Sequence, residues 1–247
     1  MPDTRSFELN GYNFVTGSNE AVIRLLFDEN LPLGLSRVVF TPNLSIWGAV
    51  EKDKNLNFIK SESEFHIADG WPIALALSIK YRQRISRCTG SDLLPALVRY
   101  CSTRNLQMAI VGGHEGYEGT LREVFAKMKI NLEFRIFDLV VSLVDLKIDK
   151  HFLSQLKEFQ PDVIVICLGF PKQELFGLEL RKEFAVPILC LGAALDFMVF
   201  PKLRAPQLFI FLKLEWFWRF LHEPKRLFKR YYLDALGGLP SLIRSIL

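Results

Sequence analysis

Four short stretches carry side chains able to act on a hydroxyl, a phosphate or a sugar. In ADGWP, Asp69 follows the apolar run FHIA (65–68). A carboxylate there can take the proton of an attacking hydroxyl within hydrogen-bond reach. Asp-Gly is equally an everyday turn pair. RCTGSD (87–92) sets Arg87 ahead of a glycine-containing loop, with Asp92 placed to cap a helix. GFPKQE (169–174) brings Lys172 and Gln173 to a helix start, where an amide can pair with a base or a sugar. GGHEG (112–116) offers Gly112 and Gly113 between a strand-like run and a helical pattern. Backbone N–H groups in such a turn suit a diphosphate. The spacing is not G-x-G-x-x-G, and Glu115 opposes phosphate if it points inward. With Asp138 ending a later run, an NAD-dependent oxidoreductase unit is one reading of this stretch and a plain tight turn is another.

Other chemistries lack their residues. There is no D-x-D pair and no G-x-S-x-G elbow, and His66, His114, His151 and His222 have no ligand spacing. Cys88, Cys101, Cys167 and Cys190 form no C-x-x-C pair and read as reduced core thiols.

Each candidate loop closes a short aliphatic run and opens a helical pattern. RVVF (37–40) leads to TPN, FHIA to DGWP and a helix through Tyr81, and QMAIV (107–111) to GGHEG and a helix around 120–129. DVIVICL (162–168) leads to GFPKQE and a helix to about Glu183, and PILCL (187–191) to GAALD. Near-continuous apolar strands alternating with helices predict an α/β fold: a mainly parallel, Rossmann-like sheet covered on both faces. All five loops then fall at the carboxyl ends of the strands, where such sheets bind ligands. The expected division is a catalytic body over 1–203 and a helical appendage over 204–247.

The appendage differs in charge. Residues 204–247 hold eight Lys/Arg against three Asp/Glu and nine of the 31 aromatic residues, so the net +4 of the chain belongs to them. That asymmetry points to an anionic partner. Pro206 and Pro224 predict two helix starts, giving an almost wholly apolar helix over about 206–221 and an amphipathic one over about 224–236 that Gly237-Gly238 stops. On the second, Lys225, Arg226, Lys229 and Arg230 share one arc, opposite Leu227, Phe228, Tyr231 and Tyr232. This split suits a bilayer surface better than a nucleic acid. No run reaches the length of a spanning helix and the N-terminus lacks a signal-peptide core, so the expectation is a cytoplasmic protein, peripheral on the membrane.

Read in order, TPN (41–43), ADG (68–70), R-x-x-G-S-D (87–92), VGG (111–113), G-x-P-K-Q-E (169–174), LDF (195–197), RAP (204–206) and E-W-x-x-R-x-x-x-E-P-x-R-x-x-x-R-Y (215–231) resemble the WecG/TagA/CpsF glycosyltransferases, glycosyltransferase family 26. The resemblance implies a GT-E-like fold and an inverting, metal-independent and cofactor-free enzyme. Such an enzyme moves a ManNAc, ManNAcA, glucose or GlcA type sugar from a UDP-sugar to a polyprenyl-diphosphate-linked saccharide, in cell-surface polysaccharide synthesis at the inner membrane face. It implies Asp69 as general base, Thr41 at the reacting centre, and Asn43, Arg87, Gly112, Gly113 and Gln173 around the donor. Arg204, Arg219, Arg226 and Arg230 would meet diphosphate, and Trp216, Phe217, Trp218, Phe228 and Tyr232 the anionic membrane. A homo-oligomer and a catalytically silent membrane adaptor remain open. Two departures stand out: Phe200-Pro201 where the family commonly has glycine, predicting another path for the loop before Arg204, and Trp71-Pro72 beside Asp69, which either stacks on a sugar or packs in the core.

Overall fold

A computed structural model describes residues 4–28, 37–138, 148–212, 214–222, 224–228, 232 and 234–247, without the side chains of Gln207, Arg219 and Arg226. The chain opens with a hairpin, β1 (Arg5–Leu9) and β2 (Tyr12–Thr16), turned by Asn10-Gly11 with both φ angles positive (52° and 84°). This is the backbone that a two-residue hairpin loop requires. Then follow α1 (Asn19–Leu26), β3 (Val38–Phe40), α2 (Leu44–Lys52), α3 (Phe58–Ser61), β4 (Phe65–His66), α4 (Trp71–Lys80) and α5 (Gly90–Arg104). The second half runs β5 (Met108–Gly112), α6 (Tyr117–Lys127), β6 (Phe134–Phe137), α7 (Lys150–Phe159), β7 (Val163–Cys167), α8 (Lys172–Leu180), β8 (Ile188–Cys190) and α9 (Ala194–Val199). Among the described residues, four α-helices close the chain: α10 (Gln207–Phe211), α11 (Glu215–His222), α12 (Pro224–Phe228) and α13 (Leu236–Arg244).

The strands form one eight-stranded sheet in the order β1-β2-β4-β3-β8-β7-β5-β6, parallel except for β1. Its interior strands are apolar on both faces, as the short aliphatic runs predict for a covered parallel sheet. Within β3, Val38 and Phe40 point into one core and Val39 into the other. The first core lies under α2, α4, α7, α8 and α13; the second lies under α1, α5, α6 and α9. This is the α/β sheet expected from the sequence.

The C-terminal helices depart from expectation in two places. The apolar segment over 206–221 is two helices: α10 ends at Phe211, capped by Leu212, and α11 begins at Glu215. Of the amphipathic segment over 224–236, α12 is described to Phe228, and Tyr232, Asp234 and Ala235 are π-helical before α13; residues 229–231 and 233 lie outside the described residues. Gly237-Gly238 does not stop a helix but sits in the first turn of α13. The reason is tertiary. A Cβ on Gly238 would lie 2.6 Å from the Cα of Gly48 on α2, so the two helices cross with glycine against glycine. Leu242 of α13 enters the first core, and the indole N–H of the wholly buried Trp47 donates to Ser241 Oγ at 2.7 Å. The last helix is thus packed on the body through α2.

Candidate active site

A cavity opens over the carboxyl ends of β3, β4, β7 and β8. It gathers Thr41, Asn43, Asp69, Gln173 and Asp196, with Leu203, His222 and Leu227 of the C-terminal segment on its rim. Asp69 follows β4 and is held by its N–H to the carbonyl of Pro42, 3.2 Å away. The next residue, Gly70, has φ +116°, a conformation that disfavours a side chain, so the Asp-Gly pair is both a turn and a carboxylate at the functional edge. Thr41 is buried, and its hydroxyl donates to the carbonyl of Cys190 at 2.8 Å. Its lone pairs remain to accept. Asn43 caps α2, its Oδ1 accepting from the N–H groups of Ser45 and Ile46 at 3.0 and 3.1 Å. That leaves its amide N–H groups for the cavity it lines. Gln173 is buried, and its carbonyl accepts from Gly192 N–H at 2.9 Å while its amide donates to Glu174 at 2.8 Å. It ties the start of α8 to the turn after β8.

Three helices begin at this cavity: α2 at Asn43, α5 at Gly90-Ser91 and α8 beside Gln173. The start of α5 can come this close because Gly90 has no side chain; a Cβ there would lie 2.8 Å from the carbonyl oxygen of Leu191. Helix N-termini direct unpaired N–H groups and partial positive charge at whatever occupies the space between them. Thr89 caps α5, donating to Asp92 Oδ2 at 2.8 Å and accepting from the Asp92 N–H. Asp92 is therefore the third residue of the helix, and Thr89 is its cap.

Asp196 also lines the cavity and carries a partner, the Tyr117 hydroxyl, which donates to it at 3.0 Å. Burial and this carboxylate push the Tyr117 phenol up to about 12, so it stays a donor at neutral pH. Burial likewise pushes the Cys167 thiol on the cavity wall up to about 12, which leaves it a poor nucleophile. Among the described residues no group of three His, Cys, Asp or Glu side chains is arranged to hold a metal ion.

Several expected site residues lie beside this cavity rather than in it. Gly112 and Gly113 have φ +110° and +96°, and Cβ atoms there would meet Cys167 O at 2.6 Å and Leu195 Cδ2 at 3.0 Å. They let β5 abut β7 and α9. Arg87 ion-pairs with Glu215 of α11 at 3.3 Å, and Arg204 ion-pairs with Asp92. These two pairs fasten the C-terminal segment to the loop leading into α5 and to the first turn of that helix. The side chains of Arg219 and Arg226, and all of Arg230, lie outside the described residues. Trp216, Phe217, Phe228 and Tyr232 are exposed, whereas Trp218 is half-buried against Phe209 and His222. Phe200 has an ordinary negative φ of −123° and packs edge-on against Tyr117, so no glycine conformation is needed there. Trp71 opens α4, about one-third exposed and outside the cavity lining.

A model of the glycosyl transferase WecG/TagA/CpsF family matches residues 8–247, nearly the whole chain. The chain belongs to this glycosyltransferase family. The match takes in the sheet, the cavity and all four C-terminal helices of the transferase, and favours sugar transfer over the oxidoreductase and adaptor readings. Asp196, Gly90, Ser91 and His222 are among the cavity residues to which sequence reasoning gave no role. LDF (195–197) held the signal for Asp196, and R-x-x-G-S-D the signal for the α5 start.

No helix among the described residues is long and apolar enough to cross a membrane.

Proposed function

We propose that this transferase moves a sugar from a UDP-sugar to a polyprenyl-diphosphate-linked saccharide by a single, inverting displacement. The observation that carries the reading is the placement of Asp69 in one cavity with the starts of α2, α5 and α8. An acceptor hydroxyl attacking the anomeric carbon must lose its proton as the bond forms, and Asp69 is positioned to take it. Thr41 accepts from a hydroxyl near the reacting carbon. As the bond to UDP breaks, charge builds on the departing β-phosphate. Fixed N–H groups at helix starts stabilise that charge without reorganising, and guanidinium groups add to them. Arg87, Arg204, Arg219, Arg226 and Arg230 are the arginines assigned to diphosphate. Asp196, steadied by Tyr117, suits the vicinal hydroxyls of a ribose, as carboxylates do in other nucleotide sites. Asn43 and Gln173 shape the donor wall. Family resemblance implies that no metal takes part.

The exposed Trp216, Phe217, Phe228 and Tyr232 form the expected docking surface for an anionic bilayer, on the same segment as the exposed Lys225. The protein then works at the cytoplasmic membrane face, where its lipid-linked acceptor resides. The test is transfer of label from UDP-sugars to a polyprenyl-diphosphate saccharide, alongside titration with UDP and NAD. Label transfer with UDP binding supports the reading; tight NAD binding without UDP binding overturns it.

A further inference from the structure

A second, wider cavity of about 710 Å³ lies at the same edge of the sheet, beyond β4. Arg5 starts β1 opposite Thr16, the last residue of β2, so both stand at the carboxyl edge where Asp69 also stands. Among the described residues the groove between β1, β2 and the loop before α5 is lined by Arg5, Arg84 and Arg87 with Thr16, Ser18 and Gln83 and by no carboxylate, the Arg87 guanidinium being shared with Glu215 of α11 at 3.3 Å. Arg5 is fixed on its wall by a 2.7 Å hydrogen bond to Gln83 Oε1. Arg84 is exposed. Three guanidinium groups around one polar groove are a recognition set for phosphate oxygens.

From this geometry we propose that the groove holds the diphosphate of the lipid-linked acceptor. The inference rests on the transferase reading and assigns the two diphosphates of the reaction to different places. The donor's diphosphate is bonded to the anomeric carbon and must lie beside Asp69. The acceptor's diphosphate is separated from its attacking hydroxyl by the intervening sugar. Strands in a sheet lie about 4.8 Å apart, and β2 neighbours β4, so the groove is one or two strand spacings from Asp69. That separation fits a short saccharide with its hydroxyl at Asp69 and its diphosphate at Arg5 and Arg84. Arg87 stands between the two, lining the groove two residues before the α5 cap whose helix start lines the catalytic cavity. The arginines of the C-terminal segment are then left for the departing UDP.

The experiment is titration of the full chain with inorganic pyrophosphate in the presence of saturating UDP, so that the donor site is filled. Wild type, Arg5→Gln/Arg84→Gln and the charge control Lys182→Gln are compared, together with KM for donor and acceptor. Both groove side chains are exposed, so the fold tolerates the change. The proposal expects the double variant to lose pyrophosphate affinity and to raise acceptor KM, each about tenfold or more, with donor KM unchanged and the control like wild type. Unchanged pyrophosphate affinity with intact transfer overturns the groove alone. Loss of binding to vesicles of phosphatidylglycerol with unchanged acceptor KM makes the ligand a bilayer headgroup and overturns the acceptor assignment. Absence of transfer by wild type to every polyprenyl-linked acceptor overturns the transferase reading beneath it.

Discussion

Replacing Gly48 by alanine sets two expectations of opposite sign against each other. Within a helix the change ordinarily stabilises by roughly 0.5–1 kcal/mol, because glycine loses more conformational freedom on folding. Here the new Cβ would lie 1.8 Å from the carbonyl oxygen of Asp234 and 2.9 Å from the N–H nitrogen of Gly238, both backbone atoms. Neither can rotate away, so α13 must lift from α2. Lifting uncovers Leu242, buried to 3%, at a cost of about 2 kcal/mol. It also separates Trp47 from Ser241, at about 1 kcal/mol. The net expectation for Gly48→Ala is destabilisation by about 2 kcal/mol, read by urea unfolding with tryptophan fluorescence. The lifted segment should also be cut earlier than in wild type by a protease at limiting concentration. Because α2 begins at Asn43, transfer should fall as well. A variant as stable as wild type or more so would refute the glycine-crossing argument.

Three further expectations follow from the packing around the site. His66 is fully buried, three residues before Asp69, with Nδ1 accepting from the Asn13 N–H at 3.1 Å and Nε2–H donating to the carbonyl of Ile59 at 2.6 Å. Burial lowers its pKa from 6.5 to about 4, so between those values the unfolded chain binds a proton that the native one does not. Stability is full above pH 6.5 and falls as the pH drops towards 4, by about 3 kcal/mol in all, and His66→Gln should flatten that slope in pH-dependent unfolding. Glu215→Gln breaks the part-buried pair with Arg87 and should cost about 1–2 kcal/mol, with faster proteolysis between 204 and 235 as the direct readout. Truncation after Leu203 removes α13 with the docking surface. It should release the protein from anionic vesicles in flotation and also lower the unfolding midpoint, since Trp47 and Leu242's pocket lose their cover.

The sheet and the cavity were legible because both depend on local pattern. Apolar runs ending in a turn placed Thr41, Asn43, Asp69 and Gln173 at one edge, and parallel pairing gathered them. The Asn10-Gly11 hairpin had an equally local signal in RSFEL-NG-YNFVT, alternating about a two-residue turn. What escaped the sequence depends on contacts between distant segments. Gly237-Gly238 reads as a helix stop unless Gly48 is known to face it. Gly112 and Gly113 read as a phosphate loop, whereas β7 and α9 need their missing side chains for packing. Arg87 reads as a donor ligand, and its pairing with Glu215 shows only once α11 is docked. His222 and Leu227 reach the cavity by the same docking.

The role of Asp69 is the centre of the account, and one comparison tests it most directly. Wild type and Asp69→Asn are each titrated with UDP and assayed for label transfer from the UDP-sugar to the lipid-linked acceptor. The account predicts UDP affinity close to wild type with transfer lowered roughly 10²- to 10⁴-fold, the contribution of a positioned general base. Near-wild-type turnover by Asp69→Asn would contradict it.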